Sequence, residues 1–145
     1  MHNFEAIKDT ILYYGAGCLP VDLWSALTNI DLIIPYWHVV SDADLPHISG
    51  MYKWRSPKQF LKDIEHLLAY YEPVSLEQII KKVYGGKKFK KPSFIATFDD
   101  GFREIYEIIA PILFKKGVPA VFFLTTEAID NQMLLYPQKK SLFLK

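Results

Sequence analysis

At 145 residues, half of them apolar, the chain has the length of one ordinary domain and enough apolar material for a core. Seventeen basic against 16 acidic residues leave a formal net charge of +1, so charge alone argues for neither nucleic acid nor an anionic membrane as a partner. The lone cysteine, Cys18, excludes an internal disulfide and has no basic neighbour in sequence to activate it as a nucleophile.

The start, "MHNFEAIKDTILYYGAGCLP", lacks the basic opening and clean apolar run of a signal peptide. Asp9, Pro20, Asp22, Asp31 and Pro35 break the apolar stretch before Val40, short of the ~20 residues a spanning helix needs. The expectation is a chain with no membrane span, cytoplasmic by default. Residues 1–31 read as a helical or irregular extension, with "VDLWSALTNI" as a short helix that Asn29 ends. Residues 32–145 read as the second unit. There Leu32 to Ile34, with Val39 and Val40 beyond, predicts a buried strand that Pro35 interrupts.

"SDADLPHISGMYKWRS" has no period and reads as a long excursion, the kind of loop that covers a site. Its aromatics Tyr52 and Trp54, with Tyr36 and Trp37, suit either packing or a sugar-stacking rim. Ser56, Pro57 and Gln59 then form a capping box that opens a helix. Phe60, Ile64, Leu67 and Leu68 fall on one face of it, and Lys62, Asp63, Glu65 and His66 on the other. After Pro73, Ser75 and Gln78 repeat the capping logic for a second helix carrying Leu76, Ile79, Ile80 and Val83, which Gly85-Gly86 stops. Lys87, Lys88, Lys90 and Lys91 read as a solvated turn.

"SFIATF" predicts a strand buried on both faces. Ile105, Ile108, Ile109, Ile112 and Leu113 recur at helical spacing, Pro111 loosens that helix, and Lys115-Lys116-Gly117 closes it. "AVFFLT" is the next strand. Alternating strands and helices imply an α/β fold with parallel strands. "TEAIDNQMLLYPQKKSLFLK" reads as a new excursion in an interrupted chain.

The chemistry gathers where the first of these strands ends, at Asp99-Asp100-Gly101. The carboxyl ends of parallel strands surround the ligand site in α/β architectures. Two neighbouring carboxylates share one site only if the chain turns, and a glycine makes the turn cheap. Held together they take up a proton or a cation, which suits one as metal ligand and one as base. A structural account competes, because Asp is a common helix N-cap and Asp-Gly a common turn.

"SFIATFDDGFREIYEIIAPILFKKGVPAVFFLT" resembles the first conserved block of the polysaccharide deacetylases, the NodB-like carbohydrate esterases. "IIPYWHVV" looks like that family's first strand, and "SPKQFLKDIEHLLAYYEPVSLEQII" resembles the helices joining the two blocks. The resemblance, which spans Leu32 to Thr125, implies a distorted, incomplete (β/α) barrel. It also implies metal-dependent hydrolysis of acetyl groups, by N-deacetylation, on a carbohydrate polymer. By the same resemblance Asp99 is the general base and Asp100 a metal ligand, with His38, Tyr36 and Arg103 as candidates for lining the cleft.

The sequence also departs from the family, whose remaining metal ligands are a His-x-x-x-His pair. His2, His38, His47 and His66 form no such pair. A divalent zinc, cobalt, nickel or manganese ion is therefore expected only if further histidines are supplied. On this reading the chain is the N-terminal part of a deacetylase domain and inactive alone. Two alternatives stay open: a non-catalytic relative serving as a binding or scaffold module, and Mg-dependent phosphoryl transfer at an acidic strand end. Oligomeric state is not legible.

Overall fold

The structure, a computed structural model, describes residues 30–86, 89–131 and 133–143. The helix expected over Val21–Ile30 falls outside them except for Ile30, as do His2 and Cys18 entirely.

The chain enters through β1 (Leu32–Ile33) and β2 (Tyr36–Trp37), two pieces of one strand parted at Ile34 and Pro35. They are less buried than the apolar run predicts. Ile34 is 56% exposed, because this strand is paired along one edge only and the helices cover just part of it. Residues 41–56, expected as an irregular excursion, fold back through α1 (Pro46–Ser49), a short helix with proline in its first turn. Leu45 and Ile48 bury themselves there with Val39 in a small second core, which explains why the segment needs its apolar residues.

Next comes α2 (Pro57–Tyr70), opened by the anticipated capping box: the Gln59 N–H donates to Ser56 Oγ and the Ser56 N–H to Gln59 Oε1. Phe60 and Ile64 are fully buried from its apolar face. A strand not expected at Pro73, β3 (Glu72–Pro73), leads to α3 (Leu76–Gly85). Ser75 and Gln78 form the second capping box, and Gly86 stops the helix in the left-handed conformation at φ 62°. None of the residues of α3 is buried, so its apolar stripe faces solvent.

β4 (Ser93–Phe94) and β5 (Ala96–Phe98) together make the central strand, and every residue from 93 to 98 is buried. Its parallel ladder runs unbroken past the assigned gaps. The N–H groups of Ser93, Ile95, Thr97 and Asp99 donate to the carbonyls of Asp31, Ile33, Pro35 and Trp37 at 2.9–3.2 Å. β3 lies along the first part of the opposite edge.

A π-helical turn (Ile105–Ile109) then passes directly into α4 (Ala110–Lys116). The widened turn has a cause in the sequence. Pro111 has no N–H, and in an α-helix its ring collides with the carbonyl four residues earlier. The Ala110 N–H reaches back to Ile105 O, and the helix accommodates the proline by widening one turn. Gly117, at φ 65°, ends it.

β6 (Ala120–Phe122) returns to pair in parallel with β5, completing the order β2-β5-β6 beside β1-β4-β3. The alternating strands and helices are therefore an α/β arrangement with parallel pairing, and the described residues form no closed barrel. The main core lies between the helix-facing side of the central strand (Phe94, Ala96, Phe98) and Phe60, Ile64, Ile109 and Leu113.

After a 3-10 segment (Thr126–Asn131), the final stretch is not the irregular excursion expected but α5 (Tyr136–Phe143). Its apolar pattern is too weak to signal a helix. It is held instead by polar contacts to α1: the fully buried Ser141 hydroxyl donates to Pro46 O at 2.9 Å and accepts from the Gly50 N–H at 3.0 Å.

Candidate functional site

Phe94, Ala96 and Phe98 turn toward the helices, so Ser93, Ile95 and Thr97 line the other face, and the next position on that face is Asp99. Its N–H is the last rung of the ladder, donating to Trp37 O at 3.1 Å. Beyond it the chain turns sharply. Asp100 takes a left-handed backbone at φ 71° and Gly101 another at φ 82°, while the Gly101 N–H donates back to Asp99 O at 2.9 Å. Asp is one of the few side-chain-bearing residues that tolerate this region.

Neither carboxylate caps the following helix. The helix opens at Arg103, and its first backbone bond runs from the Ile105 N–H to Phe102 O, with no bond to either Asp side chain. The account of the Asp pair as an N-cap therefore fails here, and the account of it as a turn holds.

The ladder also sets His38 beside Asp99, one residue past the opposed pair Trp37 and Phe98. His38 Nε2 stands 3.7 Å from Asp99 Oδ2, too far for a hydrogen bond and close enough for an ion pair when the imidazole is protonated. Tyr36 meets the imidazole edge-on with centroids 5.7 Å apart, and Tyr52 lies tilted against it at 5.2 Å. These three rings, with Lys53 and Arg55, line a cleft of about 530 Å³.

Tyr52 is the residue that the sequence offered only as packing or rim. Its hydroxyl is closed off from solvent and has no hydrogen-bond partner among the described residues. Burial, and after it the charge of Asp100, push the phenol up to about 12. No spacing signal marks Tyr52, since only the fold of residues 41–56 carries it to the strand ends. Trp54, by contrast, is an anchor, its indole N–H donating to Ser41 O at 3.1 Å.

The remaining candidates disperse. Arg103 is 79% exposed and pairs with Glu107 one turn along at 3.2 Å. His47 on α1 packs against Phe102, and His66 lies on the exposed side of α2 beside Tyr70. Among the described residues no three His, Cys, Asp or Glu side chains gather where they could hold a metal ion. A zinc-type catalytic site takes three protein ligands, so these residues alone do not make a metal centre.

The sequence profile of the polysaccharide deacetylases matches residues 86–141, the stretch that carries this turn. Through that segment the chain is similar to the polysaccharide deacetylases. Over 52 residues it is 40% identical to the poly-beta-1,6-N-acetyl-D-glucosamine N-deacetylase of Escherichia coli K12, a match covering 36% of this chain and 8% of that protein. A de-N-acetylase from Aggregatibacter actinomycetemcomitans superposes with a TM-score of 0.59 at 27% identity, over 72% of this chain and 42% of that one. IcaB from Ammonifex degensii, at 20% identity and a TM-score of 0.60, shares the fold over 79% of this chain and 48% of its own. The chain thus spans under half of these two solved structures.

Proposed function

We propose that this chain contributes the proton-transferring end of a site that removes acetyl groups from the amino sugars of a carbohydrate polymer. The observation that carries this is the approach of His38 to Asp99 at the carboxyl ends of paired parallel strands, with Asp99 and Asp100 inside the segment that matches the deacetylases. The N-deacetylase activity in the names of two relatives supports the reaction class and the substrate class. On this reading residues 32–145 are one deacetylase-like unit after an extension of residues 1–31, and the strands are an open portion of a (β/α) barrel.

Asp99 is the base that takes a proton from the attacking water, held in line by the ladder bond at its own N–H. His38 keeps the Asp99 carboxylate oriented from the neighbouring strand. Asp100, on the left-handed turn that follows Asp99, is the carboxylate offered to a divalent cation. Zinc, cobalt, nickel or manganese enters this reading only with further ligands from outside the described residues. The test is release of acetate and of free amine from an N-acetylglucosamine oligomer, with each of the four metals added in turn. Release that falls at least about 100-fold in Asp99→Asn is expected.

A second reading rests on the sparse ligand set: with no three donors gathered among the described residues, the unit serves as a binding module. Saturable binding of the oligomer with no acetate released under any metal would select that reading and overturn the first.

A further inference from the structure

The Tyr52 hydroxyl is a buried donor without a partner among the described residues, a condition folded chains normally avoid. Nothing in the packing calls for it. The ring leans on His38 and on the small core of Val39, Leu45 and Ile48, and a phenylalanine would keep every one of those contacts. Tyr52 nevertheless lines the same cleft as Tyr36 and His38, and His38 stands 3.7 Å from Asp99. We propose that the Tyr52 hydroxyl is a hydrogen-bond donor to the acyl oxygen of an acetamido group bound in this cleft, which makes Tyr52 a further catalytic residue. The inference rests on the deacetylase reading given above.

The chemistry suits the position. A phenol near neutral pH donates, and a carbonyl oxygen accepts. When water adds to the carbonyl carbon, negative charge collects on that oxygen, and a donor already stripped of water strengthens its hold there. Tyr52 keeps its proton throughout and makes no covalent bond.

Because the hydroxyl is withdrawn from solvent, ligand entry must shift residues 50–55 outward. That segment is pinned at both ends, by the Gly50 N–H on Ser141 Oγ and by the Ser41 N–H on Arg55 O. The Trp54 indole, bonded to Ser41 O between those pins, reports the shift.

The experiment compares wild type with Tyr52→Phe by calorimetric titration of an N-acetylglucosamine oligomer and, separately, its fully deacetylated counterpart. The Trp54 indole resonance is followed alongside. In Tyr52→Phe, affinity for the acetylated oligomer should drop about five- to tenfold, the worth of one neutral hydrogen bond, while affinity for the deacetylated one holds. Removing an unpaired buried hydroxyl should also raise the Tm of the free variant by a few degrees. An unchanged ratio of the two affinities, or a lowered Tm, overturns the assignment and leaves the deacetylase reading intact. Failure of the wild type to bind the acetylated oligomer overturns both.

Discussion

At Gly101 two constraints meet that favour glycine. Its φ of 82° lies in the left-handed region, and a Cβ built there would stand 3.0 Å from Leu124 Cδ2. Gly86 shares the first constraint at φ 62° but has open space around it. Gly86→Ala should therefore cost only the backbone penalty, about 1 kcal/mol, and Gly101→Ala about 2 kcal/mol or more, since Leu124 has to move as well. Urea denaturation of both variants checks the order, and equal losses would show that Leu124 yields freely. Tyr52 makes a second residue-scale prediction. Its phenol is held up at about 12 in the folded chain, whereas an unfolded tyrosine titrates near 10. In that interval the unfolded chain releases a proton that the folded chain keeps. Stability is thus unaffected below pH 10, falls as the pH rises from 10 through 12, and levels off beyond. Relative to Tyr52→Phe, the wild type should lose up to about 2 kcal/mol across that window, read from denaturation profiles at successive pH values.

Elements show how far local chemistry carries. Both capping boxes, the glycine stops and the central strand were legible because each rests on neighbours in sequence: Ser56 with Gln59, Ser75 with Gln78, Phe94 to Phe98 as one apolar run. Two elements escaped because their stabilisation is distant. α5 depends on Ser141 reaching Pro46 and Gly50 across more than ninety residues, and β3 is a strand only because β4 lies beside it. The site divides the same way. Asp99 and Asp100 announced themselves, but the nearness of His38 to Asp99 comes from strand register, and that of Tyr52 to His38 from a folded loop. Pro111 gives the prediction at this scale. With the ring gone, Pro111→Ala allows the turn at 105–109 to tighten into an α-helix and regains one backbone donor. Stability should rise by about 1 kcal/mol, with slower amide exchange over residues 107–112. An unaltered exchange pattern would show that packing of Ile105 and Ile109, not the proline, holds the turn open.

For the whole molecule, the decisive feature is the far side of the sheet. β6 pairs only with β5 among the described strands, and the chain leaves it through Phe122, Phe123 and Leu124, which are 37%, 57% and 60% exposed. An unpaired edge with consecutive apolar side chains and no charge among them has none of the usual devices that keep strands apart. Phe98 and Phe122 stack at 5.2 Å, so this edge is continuous with the core rather than a loose end, and a strand added to it would extend an ordered sheet. The protein should therefore self-associate as its concentration rises, at fixed salt and pH. Phe123→Lys places a charge on the edge, and Phe123 has no side chain in the core cluster whose loss would unfold the domain. That variant should keep its cooperative melt while sedimentation velocity shows the larger species depleted. If wild type stays monomeric over the same range, something covers β6, and the surface left to explain association is the unburied stripe of Leu76, Ile80 and Val83 on α3.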